Sequence, residues 1–137
     1  MVKVIMDHQG SGKTKNIVQL VNEAVKDARG DIVCIERKAE LTYDVSHRVR
    51  LVQASRIGGF GSVDFFKGFI CGIVEGNHDI TQIFIDGLTK FVDGFTIREL
   101  ESFLDWCEAL GERERIKFTI SISQNADLAT PEIKKYF

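Results

Sequence analysis

Cysteine is scarce in this chain of 137 residues: Cys34, Cys71 and Cys107 make an odd count and lie far apart. That spacing builds neither a disulfide framework nor a C-x-x-C pair, and each cysteine has apolar neighbours. Buried thiols in a reducing compartment are the expectation. Proline is scarcer still, with Pro131 alone, and no linker, repeat or low-complexity segment divides the chain. A surplus of one charge is also lacking, since 18 Lys+Arg against 20 Asp+Glu give a net charge of −2. No global basic field exists to attract nucleic acid, and the basic pieces Arg37-Lys38 and Arg48-Val49-Arg50 are small. Long apolar runs are absent as well. The richest stretch, Phe65 to Val74, is interrupted by Lys67 and two glycines and is too short to span a bilayer. The N-terminal residues do not read as a secretory signal. The expected setting is therefore cytoplasmic, with no membrane and no nucleic acid.

What is present is concentrated in Asp7-His8-Gln9-Gly10-Ser11-Gly12-Lys13-Thr14. A short apolar run, Val2 to Met6, precedes it and a long amphipathic segment follows, so the order is strand, glycine loop, helix. Gly10 and Gly12 let the backbone turn tightly, so that successive N–H groups can face one anion. The helix that starts there adds the positive end of its dipole. Lys13 can reach phosphates as a point charge, and the Thr14 hydroxyl is placed to ligate Mg²⁺.

Downstream, helical periodicity runs from about Ser11 to Arg29, with Gly30 read as its stop. Asp31 to Glu36 reads as a buried strand and Arg48 to Gln53 as a third; residues 39 to 47 fit a short turn or a half-formed helix. Ser55 to Gly61 is a glycine-rich loop that fits either a cover over the site or a plain connection. A second helix is predicted from an N-cap at Ser62 to about Glu75, closed by Gly76-Asn77. Its Gly68, Gly72 and Gly76 fall on one stripe, which predicts close packing against the sheet or a facing helix. Ile80 to Ile85 is an apolar strand that ends in Asp86. Thr96 and Glu99 form a capping box for a third helix, expected to end at Gly111, before a solvated connector Glu112 to Arg115. Ile116 to Ser123 alternates apolar and polar residues, which predicts a strand with one face only partly covered, near the sheet edge. Thr130-Pro131 opens a terminal helical turn.

Strands alternating with helices predict a three-layer α/β/α single domain, with a mostly parallel sheet of about five strands over residues 1–137. The glycine loop resembles the Walker A motif of P-loop nucleotide-binding proteins, and Asp86 resembles the Walker B acid. Among that superfamily the chain is most similar to small RecA-like and thymidine-kinase-like cores. It lacks the zinc-ribbon cysteines and the lasso of thymidine kinases, which tells against thymidine as substrate. A fainter likeness extends over most of the chain to small bacterial P-loop proteins labelled twitching-motility ATPase-like, a label from which no activity is taken.

The resemblance implies ATP or another nucleoside triphosphate bound by Gly10, Ser11, Gly12, Lys13, Thr14 and Lys15, and Mg²⁺ held by Thr14 and Asp86. It implies a slow Mg-dependent ATPase, with a small-molecule or nucleoside kinase or a non-hydrolytic regulatory module as alternatives. A protein partner or a homo-oligomer goes with the last. Lys13 and Glu36 are the candidate catalytic residues, Glu36 by its place at the end of the second strand. Gly87 follows Asp86, where many P-loop ATPases carry a glutamate. Gln124 and Asn125 stand where some P-loop proteins keep a phosphate-sensing polar residue. Asp7 departs from the pattern, which has glycine there. A carboxylate about 6 Å from a phosphate charge, at an effective dielectric near 20, is repelled by roughly 3 kcal/mol before screening. On that count Asp7→Gly should tighten ATP binding; the opposite expectation is that Asp7 turns away to a backbone or arginine partner and holds the loop.

Overall fold

The computed structural model describes residues 1–37, 44–54, 61–92 and 94–137. Strand β1 (Val2–Asp7) leads into helix α1 (Lys13–Asp27), followed by β2 (Asp31–Glu36) and β3 (Arg50–Gln53). Helix α2 (Val63–Gly76), β4 (Ile80–Ile85), α3 (Ile97–Glu114), β5 (Lys117–Ser123) and a short α4 (Pro131–Lys134) complete the chain. The five strands lie in the order β1-β5-β4-β2-β3, and every pairing is parallel. The fold is the three-layer α/β/α arrangement around a parallel five-stranded sheet that the alternation of elements predicts. The lid expectation for residues 55–60 lies outside the described residues, as does most of the ambiguous segment before β3.

Both sheet faces are covered, and alternate residues of each strand feed two separate cores. Ile17, Val21 and Val25 of α1 pack with Ile32, Cys34 and Phe84 on one face. On the other, Ile83, Ile85, Phe118 and Ile120 meet Phe66 and Ile70 of α2 and Phe103 and Leu104 of α3. Phe66 stacks on Phe91 and Phe103 at centroid distances of 5.1 and 5.6 Å. Fully burying a side chain of this size contributes about 1.5–3 kcal/mol, so this aromatic seam joins α2 to α3. At the free edge of β1 the C-terminal segment supplies an acceptor: Val4 N–H donates to the Tyr136 carbonyl at 2.7 Å. That contact occupies part of an otherwise open strand edge.

Local signals place the helix starts well. Ser62 accepts from Phe65 N–H at 3.1 Å, and Thr96 and Glu99 form both bonds of the capping box. Helix ends are read less well. Helix α3 runs past Gly111 to Glu114, and Arg115 closes it in the left-handed region at φ 58. The charged run after Gly111 is therefore mostly the last helical turn. Gly111 serves a different need, because a Cβ there would sit 2.5 Å from the Ile116 carbonyl oxygen. Likewise Gly30 does not stop α1, which gives way at an extended Ala28; a Cβ at Gly30 would meet the Asp79 carbonyl oxygen at 2.3 Å.

Three other expectations are corrected. β5 lies between β1 and β4, not near an edge, and its polar residues Thr119 and Ser121 are buried. A Cβ on Gly68, Gly72 or Gly76 would have nothing within 4 Å among the described residues, so no close packing among those residues explains these glycines. Cys34 and Cys107 are buried, but Cys71 is exposed on α2, because its position faces away from the Phe66-Ile70-Val74 stripe that packs inward.

The glycines separate in a test. Gly111→Ala forces a methyl group against backbone and should destabilise the fold by about 1–3 kcal/mol. Gly72→Ala relieves the helix penalty of glycine in open space and should stabilise by up to about 1 kcal/mol. Urea titrations followed by circular dichroism measure both, and shifts of the same sign would contradict the packing described.

Candidate functional site

The loop between β1 and α1 is built by its two glycines. Gly10 and Gly12 adopt φ of 85 and 95, a region that costs L-residues strain, and a Cβ on either would have nothing within 4 Å among the described residues. Ser11 N–H donates to the His8 carbonyl at 3.3 Å and Asn16 N–H to that of Gly12 at 3.2 Å, closing the loop onto the first helical turn. Gly12 is the N-cap of α1 and no side chain caps the helix, so its first N–H groups remain available to an anion. Lys13 lies along the loop, 7% exposed, and its Nζ donates to the His8 carbonyl at 2.6 Å and to Ser11 Oγ at 3.2 Å. Burial holds its pKa below the ordinary lysine value; nearby Asp7 opposes that shift and Lys90 adds to it.

Asp86 follows β4 directly, and its N–H donates to the Ile35 carbonyl at 3.0 Å, extending the sheet by one bond. Its two carboxylate oxygens are divided between two elements. Oδ2 accepts from Thr14 Oγ1 at 3.3 Å, and Oδ1 accepts from Ser121 Oγ at 2.9 Å. Ser121 Oγ in turn accepts from Gly87 N–H at 2.7 Å. The pairing expected between Thr14 and Asp86 is thus present as a hydrogen bond. A hydroxyl beside a carboxylate is a donor set suited to a hard divalent cation that keeps several waters.

These residues open onto a cavity of about 360 Å³, to which Gly10, Gly12, Lys13, Thr14, Lys15 and Asp86 all contribute. Gln9, Lys90 and Ser123 complete it, and sequence reasoning overlooks the last two as site residues. Ser123 ends β5 opposite Asp7 of β1. Gln124 and Asn125, the residues expected there, do not line the cavity; Asn125 instead accepts from Asp127 N–H at 2.9 Å and caps a short turn. The signal for Lys90 is its place four residues after Asp86 with a glycine between, a spacing that a tight turn folds back. A larger cavity of about 960 Å³ lies elsewhere, along β3 and the N-terminal ends of β2 and β4. It holds none of this chemistry.

Glu36 ends β2 and stands opposite Gln53 of β3, one residue beyond the Ile35–Ile85 pair that leads to Asp86. Its side chain is 2% exposed and does not line the loop cavity. Asp7 belongs to β1 as its last residue. Its Oδ1 accepts from His8 N–H at 2.8 Å and lies 2.8 Å from His8 Nδ1. These bonds, the backbone one foremost, hold the carboxyl below its ordinary pKa of 3.8. Asp7 does not line the cavity, so the geometry is that of a carboxylate turned to a backbone partner, and not of one facing bound phosphate.

Comparison with known proteins adds the fold alone. No protein-family model and no curated protein matches the sequence. Among solved structures, the flagellar accessory protein FlaH from Methanocaldococcus jannaschii aligns with a TM-score of 0.57 at 11% identity, over 98% of this chain. The alignment takes in 65% of FlaH, so this chain spans a little under two-thirds of that protein's length.

The Asp7 geometry reverses the sign expected from repulsion. Asp7→Gly removes the acceptor that holds His8 N–H, and ATP affinity should fall by up to about fivefold instead of rising. Asp7→Asn keeps the acceptor oxygen without the charge and should bind nearly as the parent does. Calorimetric titration of the three proteins at low salt decides it, and tighter binding by the glycine variant would restore the repulsion argument.

Proposed function

We propose that this chain is a RecA-like P-loop domain that binds a nucleoside triphosphate, ATP in the first instance, together with Mg²⁺, and turns it over slowly if at all. One observation carries the reading: a doubly left-handed glycine loop, with Lys13 laid along it, is joined by Thr14 to the acid at the end of β4. In this reading the N–H groups of residues 10–15 receive the phosphates. Lys13 exchanges its His8 and Ser11 acceptors for phosphate oxygens, and Thr14 and Asp86 hold Mg²⁺. Bound Mg²⁺ would neutralise phosphate charge and screen Asp86 from it.

Slow turnover follows from what surrounds the cavity. Among the described residues that line it, Asp86 is the one carboxylate, and it is committed to Thr14 and Ser121. A general base must come within hydrogen-bond reach of the water it activates. Glu36 is buried outside the cavity lining, so it could act only after a rearrangement at the β2 end. That observation favours, as a second reading, a module that binds nucleotide to signal or assemble with a protein partner.

Two measurements test these readings. Mg-ATP at about one hundred times its Kd should stabilise the protein by about 2.7 kcal/mol, seen as a rise in Tm, and Lys13→Ala should abolish that rise. An undiminished rise in the variant would refute the site. Asp86→Asn should weaken ATP binding chiefly when Mg²⁺ is present. Glu36→Gln should bind ATP normally; loss of a measurable hydrolysis rate in this variant would identify Glu36 as the base, and an unchanged rate would remove it from the chemistry.

A further inference from the structure

We propose that Lys90 is a second phosphate ligand of this cavity, placed to hold the terminal phosphate of a triphosphate and so to distinguish it from the diphosphate. The inference rests on the nucleotide reading above and extends it to a residue outside both recognised motifs. Lys90 closes a 3-10 turn, Leu88–Lys90, that begins directly after Gly87. The turn is pinned at both ends. Leu88 is fully buried, Gly87 N–H is bound to Ser121 Oγ at 2.7 Å, and Lys90 N–H returns to the Gly87 carbonyl at 2.9 Å.

Gly87 also sets the direction of the lysine. Its φ is 74, and a Cβ there would stand 3.0 Å from Lys90 Cδ and 3.4 Å from Cε. The Lys90 stem therefore crosses the bare face of a glycine, and Lys90 lines the cavity with Lys13, Thr14, Asp86 and Ser123. The position where other P-loop proteins place a glutamate is, in this chain, the gap through which a lysine passes.

Charge gives the class of ligand. Lys13, Lys15 and Lys90 line the cavity against Asp86 alone, and Lys90 has no ion pair or side-chain hydrogen bond among the described residues. Its charge acts unfavourably on Lys13. Cations gathered in one small cavity are best offset by a ligand with several negative charges. Position gives the phosphate. Lys90 lines the cavity together with Thr14 and Asp86, the pair that would hold Mg²⁺ against the outer phosphates of a triphosphate. The flexible lysine stem suits a point-charge contact there.

Calorimetry on the full chain with Mg-ATP and with Mg-ADP tests this, using the parent, Lys90→Met, Lys90→Arg and Lys13→Ala. Methionine keeps the length of the stem, and because Lys90 is exposed the ligand-free Tm should not move. Lys90→Met should weaken ATP about tenfold, or about 1.4 kcal/mol, while ADP changes by less than about twofold; Lys90→Arg should retain most of the ATP affinity. Equal losses for both nucleotides, or none for either, overturn the terminal-phosphate role while leaving Lys13-dependent binding intact. A parent that binds neither nucleotide, or whose binding ignores Lys13→Ala, overturns the nucleotide reading and this inference with it.

Discussion

The Asp86 carboxylate holds together parts of the chain that sequence keeps far apart. One oxygen binds the first turn of α1 through Thr14 and the other binds β5 through Ser121, while its own N–H bonds to β2. Removing this acid would leave the buried Ser121 hydroxyl short of an acceptor for its proton, a loss of about 1–3 kcal/mol for a buried polar group. More consequential is position. The loop is carried on β1, and β5 separates β1 from β4, so the acid reaches the loop only across the end of a third strand. Ser121 spans that strand. Its side chain is fully buried, yet both its donor and its acceptor capacity are used, as a low-dielectric junction requires.

The glycines of this chain serve several separate constraints, which a count would merge. Gly10 and Gly12 provide left-handed backbone with free space above it, so what they keep open is a cradle. Gly87 provides left-handed backbone beneath a lysine stem. Gly30 and Gly111 give clearance from the Asp79 and Ile116 carbonyls, which stand too close for a methyl group. Gly68, Gly72 and Gly76 answer to none of these within the described residues.

The two cores are unequal. One helix, α1, covers the face shared by Ile32, Cys34 and Phe84, whereas α2 and α3 cover the other with an aromatic seam. Since α1 begins at Lys13, the packing of Ile17 and Val21 beneath it fixes the height of the glycine loop over the sheet. The site is therefore mounted on rigid elements at one rim, where parallel strands deliver their C-terminal ends.

Much of this is local enough to be legible in the sequence. The strand-loop-helix of residues 2–27, the Thr96–Glu99 box, Ser62 as N-cap and Asp86 at a strand end all depend on spacing within a few residues, where periodicity and hydrogen-bonding chemistry suffice. The lattice of strands is not local. Polar alternation in Lys117 to Ser123 reads as a half-exposed strand, because a hydroxyl satisfied by a carboxylate and a hydroxyl satisfied by water produce the same pattern. Strand order alone decides between them, and with it come Ser121 behind Asp86 and Ser123 beside the loop. The outward face of the α2 glycines is likewise settled by tertiary structure. Such features depend on which atoms lie across a gap between segments, and residue spacing along the chain carries no measure of that distance.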